Sequence, residues 1–324
     1  MHEAQAALTT LLDCPFVRLA AVITPPDTDR RGLSGAADLT SAARAAGVPV
    51  IYESNLNAPG ATETVHALHP DLMVIVGWTR LLGPEVLSVP RNGCVGFHAS
   101  LLPRHRGRAP VNWAILRGEP VTGNTMLLLD PGADTGDIVD QVRIPIGPED
   151  TCGTVYDRVA RAGAGMLRTH LPALLAGTAP RHAQNPAEGD VLPRRTPGMG
   201  VIDWDRPAFA VHDWVRALTT PYPGAFGLLE GERVMVWRTR PPSGDEPGGP
   251  PGAVLDVGPE GVRVATREGS VLVTAMSGPD EPPQPAADWS RRTGVRPGTR
   301  FAAVPPAVSR WVLGEGPRPE GVAR

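Results

Sequence analysis

The chain contains no lysine. All 31 of its cationic side chains are arginine, which excludes any chemistry that starts from a lysine nucleophile or a Schiff base. Aromatic residues make up only 5% of the sequence, and the cysteines number three, Cys14, Cys94 and Cys152. Far apart and odd in number, they exclude a disulfide framework and a cysteine-rich zinc site and read as buried reduced thiols. No apolar run approaches the roughly 20 residues that cross a bilayer. The opening MHEAQAALTT lacks the basic and apolar stretches of a secretion signal. A cytoplasmic protein with no membrane partner is the expectation. A surplus of one charge is missing too, since 34 acidic residues balance the arginines to a net charge of -3. That balance argues against a generic polyanion binder.

What the chain does have is length and apolar content. At 324 residues and 41% hydrophobic, it can bury a sizeable core and is expected to form two domains. Glycine and proline, 37 of each, imply long loop or linker stretches. Apolar runs at Phe16–Thr24, Val48–Tyr52, Asp71–Trp78 and Gly93–His98 read as strands, alternating with helical patterns at Ala36–Ala46 and Ala61–Leu68. This βαβα rhythm, with apolar rather than alternating strands, predicts a parallel sheet covered on both faces. Further on, Asn124–Leu129 and Ile138–Ile146 read as strands and Val155–Leu175 as a long helix. The pattern then collapses into polar, Pro/Gly-rich sequence. After a helix at Pro207–Ala217, five short strands between 226 and 274 have the spacing of a small antiparallel barrel. The expected domains are 1–181, a linker 182–200, a barrel domain 201–310 and a tail 311–324. The chain opens in helix-like sequence where such a sheet normally opens with a strand. A missing first strand is therefore expected, and a late-assigned start is the favoured account, because a lost central strand leaves ladder groups unpaired.

Chemistry concentrates in Gly93–Gln141. His98 falls at the carboxyl end of an apolar strand, where open α/β sheets place their ligands. An acidic loop, Asp130 to Asp137, follows the next strand. A histidine facing a carboxylate is the minimal kit for general-base chemistry. Taken alone, His98 also reads as a structural hydrogen-bonder, and the aspartates as turn residues. Their spacing does not match a calcium loop, so no metal is expected.

Read together, the motifs carry a resemblance. His98-Ala-Ser-Leu-Leu-Pro, Arg106-Gly107, Ala109-Pro110, Trp113-Ala114-Ile115, Thr122-Gly123 and Asp134-Thr135-Gly136-Asp137-Ile138 stand in order. So do Arg195-Thr196-Pro197, Ile202-Asp203-Trp204 and Pro221-Tyr222-Pro223-Gly224. The chain resembles the 10-formyltetrahydrofolate-dependent formyltransferases, the group that includes the methionyl-tRNA and amino-sugar enzymes. The resemblance implies a Rossmann-like α/β catalytic domain followed by an oligonucleotide-fold-like β-barrel. It implies 10-formyltetrahydrofolate as co-substrate, His98 as the catalytic histidine and Asp134 as its partner. It places folate-contacting segments on Arg80, Leu81 and Leu82, on Ser100, Leu101, Leu102 and Pro103, and on Asp130, Pro131, Gly132 and Ala133. Arg106, Arg108 and Asn112 fall on substrate positions. One position departs from the family pattern. The oxyanion-binding Asn expected two residues before the histidine is Gly96, and Asn112 or a backbone N–H is the expected replacement.

For the acceptor, residues 201–324 hold 14 Arg against 15 Asp and Glu. The run from Arg106 to Trp113 is closer to the amino-sugar branch. A small-molecule amine, such as an amino-sugar nucleotide or an amino-acid-derived metabolite, is therefore ranked ahead of methionyl-tRNA. Because of Gly96, formyltetrahydrofolate hydrolysis and non-catalytic folate binding are kept as further alternatives.

Overall fold

The computed structural model describes residues 2–30 and 37–320. The first residue of the expected Ala36–Ala46 helix and the last four of the expected tail lie outside them. The chain divides into two compact units. The first comprises Met1–Pro110, Val121–Pro145 and Val155–Leu192, the second Val111–Pro120, Ile146–Thr154 and Pro193–Arg324.

The chain begins with α1 (His2–Leu12), β1 (Val22–Thr24), α2 (Asp27–Arg30), α3 (Thr40–Ala45) and β2 (Val50–Tyr52). There follow α4 (Pro59–Ala67), β3 (Met73–Ile75), α5 (Pro84–Leu87), β4 (Cys94–His98) and β5 (Arg106–Gly107). Both α4 and α5 start on a proline, whose fixed φ and missing N–H suit the first helical position. Next come α6 (Pro110–Leu116), β6 (Val121–Leu128), β7 (Ile138–Pro145), α7 (Cys152–Leu175) and β8 (Val191–Leu192). α7 is the long helix expected from the sequence, and the chain leaves it through Gly177 in the left-handed region (φ 71).

In the first unit β1 pairs with β2 and β3 with β4, both parallel, and β5 pairs with β8. Beyond β4 the sheet turns antiparallel through β6 and β7, so the α/β sheet is mixed. Its core sets Val95, Met126 and Val139 against Leu167, Leu171 and Leu174 of α7 and Ala7 of α1. The cysteines are buried and unpaired, and burial pushes the Cys94 and Cys152 thiols up to about 12.

Among the described residues no strand joins the β1–β2 pair to the β3–β4–β6–β7 sheet. A cavity of about 460 Å³ is bordered there by Val22 and Ile23 on one side and Met73, Val74 and Ile75 on the other, with Leu8 of α1. Among the described residues β1 and β3 thus have no strand between them. That explains why the expected strand Phe16–Thr24 shrinks to three residues. Residues 16–21 are apolar apart from Arg18, yet no strand among the described residues offers them a ladder. For the same reason β3, apolar throughout, is only half-buried, whereas β4 is almost wholly buried. Amides of Ala20–Thr24 and Leu72–Ile75 are accordingly expected to exchange hydrogen faster than those of Cys94–His98. Equal protection in a native-state exchange experiment would refute this.

Within this unit, Glu3 accepts a hydrogen bond from Asn124 Nδ2 at 2.7 Å. Loss of water around its carboxyl outweighs that bond and pushes it up to about 7. The folded state then holds this proton more firmly than the unfolded chain does. Stability should therefore fall as pH rises from the ordinary carboxylate range through about 7, and level off above. Glu3→Gln should flatten that slope in thermal melts between those pH values, and an identical slope in variant and wild type would contradict it.

The second unit contains α8 (Ala208–Leu218), β9 (Ala225–Leu229), β10 (Glu232–Arg240), β11 (Val254–Gly258), β12 (Gly261–Ala265) and β13 (Ser270–Ser277). It continues with β14 (Gln284–Pro285), α9 (Ala286–Thr293) and α10 (Pro306–Val312). Its strands pair antiparallel in the order β11-β12-β13-β10-β9, with β14 on β13. Their positions follow the five short strands expected for a barrel. Trp204 stacks on Phe301 at 4.9 Å between centroids. Arg195 lies over the rings of Trp113 and Trp214 at 4.7 and 5.1 Å. Its guanidinium donates to the carbonyls of Val312 and Met199, and burial pulls its pKa down to about 9. The family-like Arg195 thus ties its own unit together. No described helix is long and apolar enough to cross a membrane.

Candidate active site

His98 is the last residue of β4, in register with Thr125 of β6, and is 7% exposed. Its Nδ1 lies 3.4 Å from Asp134 Oδ1. Its Nε2 lies 2.7 Å from the carbonyl oxygen of His105. A carbonyl only accepts, so Nε2 carries a hydrogen in this arrangement. Each ring nitrogen therefore faces an acceptor. The second oxygen of Asp134 accepts the N–H of Gly107 at 2.8 Å. The structure thus brings together the two residues singled out as catalytic.

Backbone conformation at the site is unusual. Of the five described non-glycine residues with positive φ, three are His105 (φ 59), Ala109 (φ 55) and Asp134 (φ 57). Residues in this region persist only where surrounding contacts over-determine them, and they gather at functional sites.

The expected folate segments differ in availability. Ser100 is fully buried and its hydroxyl donates to the carbonyl of Arg104 at 2.7 Å. Leu102 is buried, its N–H donates to Thr125 Oγ1, and its carbonyl accepts from Gln141. Leu101 and Pro103 are half-buried in the same turn. Asp130 accepts from the Gly132 N–H and the Thr135 hydroxyl, closing a turn in which Pro131, Gly132 and Ala133 are exposed. Leu82 belongs to an apolar cluster with Leu56, Val65 and Val86. Leu81, 59% exposed, and Arg80 lie on the surface. Asn57 fixes this loop, donating to the Leu81 carbonyl and accepting the Gly83 N–H.

The expected substrate residues have partners within the fold. Arg106 is buried, with Nε and Nη2 donating to Gln184 Oε1 at 3.2 and 2.9 Å. Arg108 donates to the Thr79 carbonyl at 2.9 Å. Asn112 is in the second unit, buried, with Nδ2 donating to the Ala217 carbonyl at 2.6 Å. Its donor is thus engaged inside that unit.

Gly96 pairs with Ile75 and Leu127 in the centre of the sheet. Two residues before His98 on one strand, it shares that residue's face. A Cβ added there would lie 2.8 Å from Leu129 Cδ2. An apolar side chain therefore fills the space that an amide at position 96 would occupy. Leu129 is a residue that sequence reasoning did not single out, and neither were Gln184 and Asp190, which hold the loops around the catalytic pair. Nothing in their local sequence distinguishes them from loop residues. Among the described residues no three potential ligands cluster as a metal site.

Comparison with known proteins follows the same residues. A family model described as formyl transferase matches residues 3–171, and one described as formyl transferase, C-terminal domain, matches 195–294. The methionyl-tRNA formyltransferase of Moorella thermoacetica is 40% identical over 88% of this chain and 92% of its own length. That of Myxococcus xanthus is 36% identical over 93% of this chain and 96% of its own. Among solved structures, HypX from Aquifex aeolicus in complex with tetrahydrofolic acid matches 76% of this chain and 42% of its own with a TM-score of 0.59 at 23% identity. This last likeness is one of fold.

Proposed function

The chain belongs to the family of 10-formyltetrahydrofolate-dependent formyltransferases, and from that premise we propose that it formylates the amino group of methionine carried on transfer RNA. The observation that carries this reading is the match to methionyl-tRNA formyltransferases over about nine-tenths of both chains. It corrects the ranking drawn from sequence, which put a small-molecule amine first and transfer RNA behind it.

Both grounds for that ranking have a physical explanation. The Arg106–Trp113 run has the look of an amino-sugar site in sequence, but Arg106 and Arg108 bind Gln184 and the Thr79 carbonyl. The near-zero charge of residues 201–324 averages over local pairs. Arg240, Arg291 and Arg292 are neutralised by Glu260, Asp288 and Glu281. Arg238, Arg296 and Arg310 have no ion pair among the described residues, and phosphate contacts depend on such local cations rather than on the sum.

The formyl donor brings an already activated carbonyl. Exposed Arg80, which has no ion pair among the described residues, suits a carboxylated ligand, and the exposed Pro131–Ala133 turn leads directly into Asp134. As the methionine nitrogen bonds to the formyl carbon, His98 takes its proton. The bond from the formyl carbon to the folate nitrogen then breaks, and His98 returns the proton to that nitrogen. Through this exchange Asp134 Oδ1 stands 3.4 Å from Nδ1 and the His105 carbonyl 2.7 Å from Nε2, and these two acceptors orient the ring.

The test is formyl transfer from 10-formyltetrahydrofolate to methionyl-tRNA, with uncharged tRNA and an amino-sugar nucleotide as parallel acceptors. N-formylmethionine, recovered only from the charged tRNA and lost steeply with salt, is the expected result. Formylation of the sugar nucleotide with none of the tRNA would overturn the reading.

A further inference from the structure

Residues 182–192 fall in the Pro/Gly-rich stretch that reads as linker, yet they lie within the first unit and touch both catalytic loops. At one end, His182 and Ile138 exchange backbone hydrogen bonds, each at 2.9 Å. Gln184 Nε2 then donates to the carbonyls of Asp134 and Gly136 at 2.9 and 2.7 Å, while its Oε1 accepts from Arg106. At the other end, Asp190 Oδ1 accepts the N–H of His105 at 2.6 Å, and its own carbonyl accepts the N–H of Arg106 at 3.0 Å. Val191 and Leu192 pair with Arg106 and Gly107. Between them, Gly189 runs so close to the loop after His98 that a Cβ there would lie 2.5 Å from the Pro103 carbonyl.

We propose that this segment is a strap whose Gln184 and Asp190 are positioning residues for the reaction, setting where Asp134 and the His105 carbonyl stand against the two nitrogens of His98. The inference rests on the reading of His98 and Asp134 as the proton-handling pair. Gln184 grips the backbone of Asp134, which sits at positive φ (57) and would otherwise relax. Asp190 grips the backbone of His105, also at positive φ (59), whose carbonyl receives the His98 Nε2 hydrogen. Neither strap side chain has to touch substrate. One short segment thus fixes both acceptors, and a displacement of about 1 Å at reacting groups can cost on the order of 10²-fold in rate.

Two substitutions separate positioning from simple support. Gln184→Glu keeps an acceptor for Arg106 but turns an oxygen towards two carbonyls, releasing the Asp134 loop. Asp190→Ala removes the anchor of His105, whereas Asp190→Asn keeps an oxygen for the same N–H. Formyl transfer is measured across pH, alongside thermal melts. Gln184→Glu and Asp190→Ala are expected to lose at least about tenfold in kcat with KM within about twofold, and to change the pH–rate profile. Asp190→Asn should restore most of the rate. If Gln184→Glu does not fold, Gln184→Leu, which lacks the donor without adding charge, replaces it. Wild-type kcat and pH profile in either the Gln184 variant or Asp190→Ala overturn the proposal, as does a lower melting temperature with kinetics unchanged. His98→Ala, run in parallel, distinguishes the two levels. If it is as active as wild type, the proton-handling pair itself is wrong; if it is inactive while the strap variants are normal, only the strap is.

Discussion

His98→Ala should lower kcat for formyl transfer by about 10²- to 10⁴-fold, the usual contribution of a positioned general base, with little change in melting temperature. Asp134→Asn should fall to less than about a tenth of the wild-type rate, and the structure supplies the reason. The Gly107 N–H already points at one oxygen of Asp134 at 2.8 Å. An Asn at this position must turn its carbonyl oxygen to that N–H, because the reverse would set two donors against each other. Its NH₂ then faces Nδ1 of His98. That contact selects the neutral ring with hydrogen on Nε2, which already donates to the His105 carbonyl. No ring nitrogen is left with a free lone pair to take the amine proton. Nitrogen chemical shifts of His98 in the variant should report this tautomer, and a variant keeping more than about a tenth of the rate would remove Asp134 from the role given to it.

How much of this was legible beforehand depends on the kind of signal. Periodicity located α7, α8 and the strands of the second unit to within a few residues, because their apolar runs are separated by turn residues. The pairing of His98 with Asp134 came from an ordered set of motifs, and the fold places the two together. What could not be read was which polar side chains the fold would use for itself. Arg106, Arg108 and Asn112 each looked available, and each donates to a partner that is distant in sequence, namely Gln184, the Thr79 carbonyl and the Ala217 carbonyl. Net charge misled for a related reason, since it counts arginines without regard to their partners. The role of residues 182–192 was hidden because polar, Pro/Gly-rich sequence looks alike in a connector and in a segment pinned by side-chain hydrogen bonds.

Gly96→Asn is expected to fail alone and to succeed only with space made for it. Alone, its Cβ would meet Leu129 Cδ2 at 2.8 Å, and overpacking of this kind costs about 1–3 kcal/mol. Leu129 is half-buried and can move somewhat, so the variant should fold with a lower melting temperature and transfer no faster than wild type. In Gly96→Asn combined with Leu129→Ala, the amide shares the face of His98 with its contact relieved. A single oxyanion donor supplies about 10²- to 10³-fold, which sets the ceiling for the gain in kcat. Leu129→Ala alone is the control for the effect of opening the pocket. A double variant that is no faster than Leu129→Ala would show that the transferred oxygen is already bound by another donor. With Asn112 engaged on Ala217, that donor would be a backbone N–H, which no side-chain substitution can remove. A double variant faster by tenfold or more would show instead that this enzyme works without an oxyanion donor at position 96, and that Leu129 is what keeps one out.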